Sequence, residues 1–241
     1  MTQSFFGIWL YLSASPLLWI AVTLLAYWAA YGIYRRSGLN PIANPVLISV
    51  ALIVCVLLLT KTPYQTYFDG AQFVQFLVGP AIVALAIPLY AQIERLRTMF
   101  LPLTIALLVG SITAIGSAVV IGWAFGASTE TLLSLAPKSA TMPIAMGVSE
   151  KIGGLPSLTA LAVTITGISG AIMARGLLNL MTVEDSAVRG FAVGLTAHAI
   201  GTAAALQTGE IAGAFAALGM GLNGVATTLL LPLILQLAGS R

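Results

Sequence analysis

Few side chains in this 241-residue sequence can do chemistry, and they fall in three places. Lys138, Ser139 and Thr141 lie in PKSATMPIAMGVSEKIGG, residues 137–154, between Pro137 and Pro143. His198, the only histidine, lies in GLTAHAIGT, where a four-residue spacing puts Gly194, His198 and Thr202 on one helical face. Asn223 lies in GMGLNG, one turn before Thr227. Pro137 suits the first position of a half-helix, with Lys138 and Ser139 in its first turn. Free amides at a helix start, plus an ammonium, attract an anionic group such as a carboxylate. A histidine at membrane depth can titrate protons or bond a substrate in a cavity. Each residue also has a plainer reading. Lys138 can snorkel to the surface, His198 can be a neutral core residue, and Asn223 can bond a neighbouring helix.

Other chemistries find little support. One histidine and one cysteine, Cys55, cannot build a conventional metal site, so neither metal nor cofactor is expected. GMGLNG matches the dinucleotide pattern GxGxxG in letters only, because no strand precedes it. No Ser-His-Asp arrangement is present, and an enzyme is not expected. Net charge is +3 without a basic run, which gives nucleic acid no footprint.

The elements that must hold these residues are set by composition. The chain is 59% hydrophobic and 7% charged, against about 25% charged in soluble domains. Mean hydropathy is +1.02. Long continuous apolar runs exclude a β-barrel and predict an all-α, polytopic integral membrane helical bundle lying in the lipid bilayer. About seven spans are expected: 17–34, 45–60, 71–90, 100–125, 157–174, 188–206 and 211–237. Residues 5–15 are too short to span. The first basic residues, Arg35 and Arg36, follow the first apolar run, so no cleavable signal is read and the N-terminus is expected outside.

Two Pro-broken segments interrupt this pattern, around Pro80 with Pro88 and around Pro137 with Pro143. Proline lacks an amide donor and its ring clashes with the preceding turn. Broken backbone and charge at membrane depth survive only inside protein or beside a water-filled cavity. If residues 130–150 enter and return on one side, all seven arginines fall on the cytoplasmic side, which favours a re-entrant hairpin. ALAIPLYAQIERL (84–96) and SATMPIAMGVSEKI (139–152) make a candidate internal repeat; chance similarity of apolar Pro-containing segments is the alternative.

PAIVALAIPLYAQ (80–92), PKSATMPIAMGVSEKIGGLPSLTA (137–160) and GFAVGLTAHAIGTAAA (190–205) closely resemble the LrgB/CidB family of bacterial membrane proteins. With NPVLISV (44–50), the resemblance covers roughly residues 40–237, and the PKS-x-T-x-PIA block is its specific part. It implies one LrgB-like domain over 1–241 in the bacterial cytoplasmic membrane. It implies a small LrgA/CidA-type holin-like partner and a link to autolysis and murein hydrolase activity. A plastid relative that fuses both components looks like a glycolate/glycerate translocator, and some bacterial members are tied to pyruvate movement. The family supplies no catalytic residues.

Two functions remain open. One is a carrier or facilitator of small monocarboxylates (pyruvate, glycolate, glycerate), with Lys138, Ser139, Thr141, His198, Thr202 and Asn223 around the substrate. The other is an antiholin-like modulator of murein hydrolase export. It would work through lateral contacts on Gly213, Ala217 and Gly221, and a homo-oligomer is expected.

Overall fold

A computed structural model describes residues 15–237, and every regular element in them is helical. The short apolar stretch expected at 5–15, apart from Ser15, and Arg241 lie outside those residues. The chain divides into two compact units, Met1–Ala84 and Leu85–Arg241.

The first unit holds α1 (Pro16–Arg36), a 3-10 turn (Pro41–Ala43), α2 (Pro45–Thr60) and α3 (Tyr64–Ala84). Asn44 starts α2: its Oδ1 accepts from the amides of Val46 (2.8 Å) and Leu47 (3.3 Å), and Pro45 takes the first helical position. That Asn-Pro pair satisfies two of the amides that a helix start leaves orphaned. Trp19 of α1 is fully buried; its ring meets Tyr67 of α3 edge-on at 5.7 Å and covers Gly70, where a Cβ would collide with it. Thr23 Oγ1 and the Tyr67 hydroxyl share a hydrogen bond of 3.1 Å. Pro80 lies inside α3.

The second unit holds α4 (Ala86–Tyr90), α5 (Ile93–Thr98), α6 (Phe100–Ala124), α7 (Thr129–Leu135), α8 (Met142–Lys151), α9 (Pro156–Leu180), α10 (Ser186–Leu206) and α11 (Glu210–Leu237). Pro88 is the third residue of α4. The two segments read as a repeat differ locally: the first makes the short helices α4 and α5, the second a turn and the single helix α8.

All seven expected apolar segments are helical. Four helices (α1, α6, α9 and α11) are long and apolar enough to cross a membrane, and the bent pair Tyr64–Val74 with Gly79–Tyr90 makes a fifth if it counts as one crossing. Of the other two, α2 is a 16-residue apolar helix. The last, α10, corrects the sequence expectation of a span at 188–206 and of one shared face for Gly194, His198 and Thr202.

At His198 the backbone adopts φ 42° and ψ −134°, and the chain turns back on itself. In a straight helix Val193 and Gly201 are about 12 Å apart along the axis. Here a Cβ on Gly201 would sit 2.9 Å from the Val193 carbonyl oxygen. The arm 186–197 runs parallel to the start of α11. Gly190 abuts the Ala212 carbonyl and Gly194 the Ala216 carbonyl, approaches that only glycine permits. The arm 199–206 returns beside them, with Leu206 against Gly213 and Ala205 packed with Ala212 and Ala216. Both ends of α10 therefore lie at one end of the bundle.

That end also holds the start of α6, through a core of Leu103, Ala187, Phe191, Leu195 and Phe215. Arg95 pairs with Asp185 there, and Arg189 donates to the Val183 carbonyl at 2.7 Å. The far end of α11 consequently points the other way, with Leu231 packed on Ile115, Ala136 and Val148. The arginine count made from sequence assumed a full crossing at 188–206. With the fold-back, Arg95 and Arg189 still share one end of the bundle.

Two outcomes follow from these elements. In a Cys55→Ser background, cysteines replacing Glu184 and Gln207, which flank α10 and are both exposed, will react with a membrane-impermeant thiol reagent from the same side. Labelling from opposite sides would contradict the fold-back. Asp185 caps α10, its Oδ1 accepting from the amides of Ala187 (2.8 Å) and Val188 (3.0 Å). The Val188 amide holds its carboxyl below the usual range, against the opposing effect of burial and with help from the Ala187 amide and Arg95. A lowered folded pKa stabilises the fold above the unfolded value and is lost as pH falls through the folded one. Thermal unfolding near neutral pH will show Asp185→Ala less stable by about 1 kcal/mol and Asp185→Asn, which keeps a cap, less affected.

Candidate functional site

The stretch from Ser134 to Leu155 forms a hairpin closed at its base. Ser134 Oγ accepts from the Leu155 amide at 2.7 Å and donates to the Glu130 carbonyl at 2.7 Å. Thr159 Oγ1 reaches the Ser134 carbonyl at 2.9 Å and Ser149 Oγ at 2.7 Å. Gly154 makes the closure possible, since a Cβ there would meet the Ser134 amide at 2.9 Å. Ser134, Ser149 and Thr159 are all fully buried. At about 1.5 Å per residue α7 and α8 are about 10 and 15 Å long, too short for a hydrocarbon core of about 30 Å.

Proline shapes the tip. Residues 137–140 form turns, and the half-helix begins at Met142 rather than at Pro137 as the sequence suggests, with Thr141 extended before it. Pro137 instead closes α7, because it offers no amide to continue the ladder. Pro143 fills the first turn of α8, where no amide is needed.

The tip meets the middles of several helices. The Asn223 amide, midway along α11, donates to the Ser139 carbonyl at 2.9 Å and accepts from Ser111 Oγ, midway along α6, at 2.7 Å. Ala140 and Ala145 pack on Val163 of α9. The turn of α10 arrives at the same level: His198 Nε2 lies 2.9 Å from the Val163 carbonyl. A carbonyl only accepts, so Nε2 carries the proton in this pair. Gly167 leaves the room, since a Cβ there would stand 2.5 Å from His198 Cε1.

A cavity of about 590 Å³ opens beside this junction. Lys138 and Ser139 reach it from the hairpin tip, Thr113 and Ser117 from α6, Thr166 and Ser169 from α9, and Thr196 from α10. The volume falls in the range of small-molecule sites. Lys138 is half-buried, and its ammonium stands 3.4 Å from Ser139 Oγ. Among the described residues the ion pair is Arg95–Asp185, so Lys138 brings a positive charge with no acidic partner. No group of three or more His, Cys, Asp or Glu that could hold a metal ion occurs among those residues.

The residues singled out from sequence thus separate. Lys138 and Ser139 line the cavity. Asn223 stands behind Ser139, with its amide engaged on both sides. His198 faces Val163, and Thr202 bonds the His198 carbonyl at 2.8 Å and approaches the Met220 sulfur at 3.8 Å. Thr141 serves as the residue before α8 without a side-chain cap bond. Thr113 and Thr196 had no signal in the sequence, since a hydroxyl on a membrane helix is commonly bonded to its own preceding turn.

Residues 23–237 match the LrgB-like family. Bacillus subtilis YxaC, an uncharacterized protein, is 36% identical over 90% of this chain and 94% of its own length. An uncharacterized Haemophilus influenzae protein is 31% identical over 91% and 95%. Antiholin-like protein LrgB of Bacillus mycoides is 30% identical over 93% and 98%. No solved structure matches the chain. Family match and relatives both run through the hairpin, the folded-back helix and the cavity between them, and the chain belongs to the LrgB-like family of multi-pass membrane proteins.

Proposed function

We propose that the protein is a carrier or facilitator of small monocarboxylates in the bacterial cytoplasmic membrane, with the cavity at Lys138 as its binding site. The observation that carries this reading is an ammonium without an acidic partner, lining a largely apolar cavity that several hydroxyls border, level with the middles of two long apolar helices. An intramembrane charge is costly and persists where a counter-charge visits it. One cation suits one carboxylate, and the hydroxyls of Ser139, Thr113, Ser117, Thr166, Ser169 and Thr196 suit the rest of a small polar acid such as pyruvate, glycolate or glycerate. In this reading the hairpin 134–155 is re-entrant, and the arginine-bearing end faces the cytoplasm. The family match spans both compact units, which supports one functional domain.

The second reading is modulation of murein hydrolase export with a small LrgA/CidA-type partner, favoured by the name of the Bacillus mycoides relative. Its contact face needs revision. Gly213 is consumed by Leu206 within the chain, whereas Gly221 is exposed with nothing within 4 Å of a Cβ.

Purified protein in liposomes will take up labelled pyruvate or glycolate, and Lys138→Ala will lower the uptake at least tenfold, the scale of a lost charge-assisted hydrogen bond, about 1.5–3 kcal/mol. Undiminished uptake by Lys138→Ala would remove the site. In cells carrying the partner, Gly221→Leu will leave the autolysis rate unchanged if transport is the primary role. A changed autolysis rate in Gly221→Leu, with Lys138→Ala silent, would instead select the second reading.

A further inference from the structure

Ser139 carries a backbone carbonyl that the chain cannot satisfy in the usual way. Ser139 lies in the turns before α8, outside any helical ladder, and among the described residues no backbone amide is bonded to that oxygen. At mid-depth no water from the lipid can substitute, and an orphaned carbonyl is costly. Asn223 supplies the missing donor through Nδ2 at 2.9 Å. Its own carbonyl oxygen is in turn held by Ser111 at 2.7 Å. Asn223 and Ser111 are each 1% exposed, so this bridge is dry and neither side chain is free to touch a ligand.

From this geometry we infer that Asn223 is a positioning residue: with Ser111 it latches the hairpin tip to α6 and α11, and thereby aims Lys138 and Ser139 into the cavity. The hairpin has a second attachment at its base, where Ser134 binds Leu155 and Thr159. The two clamps differ in kind. The base is closed by hydrogen bonds between chain neighbours of the hairpin, whereas the tip, beside the apolar packing of Ala140 and Ala145 on Val163, takes its hydrogen bond from a side chain 84 positions away in sequence. Release of Asn223 frees the tip while the base stays shut, so the tip's loss of position does not require unfolding. The inference deepens the carrier reading and rests on it for its consequence in transport. The latch itself is tested without any substrate.

The experiment uses full-length protein with Cys55→Ser, since Cys55 is free and exposed, and Lys138→Cys as a reporter at the tip. The rate of labelling by a small membrane-impermeant methanethiosulfonate is measured with Asn223 intact, with Asn223→Leu and with Ser111→Ala. Asn223→Leu is expected to change the rate roughly fivefold or more, the scale of one lost hydrogen bond, and Ser111→Ala to change it in the same direction by less. The control Thr228→Val removes a hydroxyl that bonds the Gly224 carbonyl within α11 on an exposed face, and is expected to leave the rate unchanged. An unchanged rate in folded Asn223→Leu overturns the inference. Should Asn223→Leu fail to fold, an unchanged rate in Ser111→Ala overturns it equally. A shift in labelling combined with no carboxylate uptake by the native protein would leave the latch standing and reject the carrier reading alone.

Discussion

Inside a hydrocarbon layer every backbone amide and carbonyl needs a partner, and a broken helix leaves several without one. That constraint organises the second unit of this protein. Pro137 and Pro143 interrupt what would otherwise be one apolar stretch, and specific polar side chains bond backbone groups of the hairpin that results. Ser134 receives the Leu155 amide at the base, and Asn223 supplies the Ser139 carbonyl at the tip. The polar residues buried in α6, α8, α9 and α11 are therefore mostly committed. Ser111, Ser149, Thr159 and Asn223 serve the hairpin, and no buried side-chain nitrogen or oxygen among the described residues lacks a partner. Further hydroxyls line the cavity where Lys138 stands, those of Ser117 and Thr196 donating to carbonyls of their own helices.

The fold-back at His198 solves a related problem by different means. A non-glycine residue at positive φ with an extended ψ costs on the order of 1–3 kcal/mol and needs surrounding structure to hold it. Here the hydrogen bond to Val163, the space left by Gly167 and the tight seam of Gly190 and Gly194 against α11 provide that support. The result is a second pair of half-helices whose turn meets the first hairpin at Val163. Strain at such a point marks functional sites more often than idle ones, which fits a cavity bordered by Thr196, two residues before the turn.

How much of this was readable from residues alone varies with the kind of signal. The helical segments were, because long apolar runs in a nearly uncharged chain admit little else. The break within 137–154 was also readable, because two prolines, a lysine and a glycine pair do not suit one unbroken apolar helix. The fold-back at His198 was not. GLTAHAIGT carries no proline, and glycines at four-residue spacing look the same whether they pack two straight helices or a helix and its own return. The partnership of Asn223 with Ser139 was equally hidden, since an asparagine facing a ligand and one facing a carbonyl read alike. The cavity hydroxyls are common residues whose significance lies wholly in their convergence.

The central claim is that Lys138 offers a charge to a visiting carboxylate. It is tested most directly by calorimetric titration of the purified, detergent-solubilised protein with pyruvate and glycolate, alongside Lys138→Gln, which keeps length and hydrogen bonding but not charge. Saturable binding by the native protein that disappears in Lys138→Gln is the expected result. Binding of equal strength in both proteins would contradict the claim, as would no binding by the native protein.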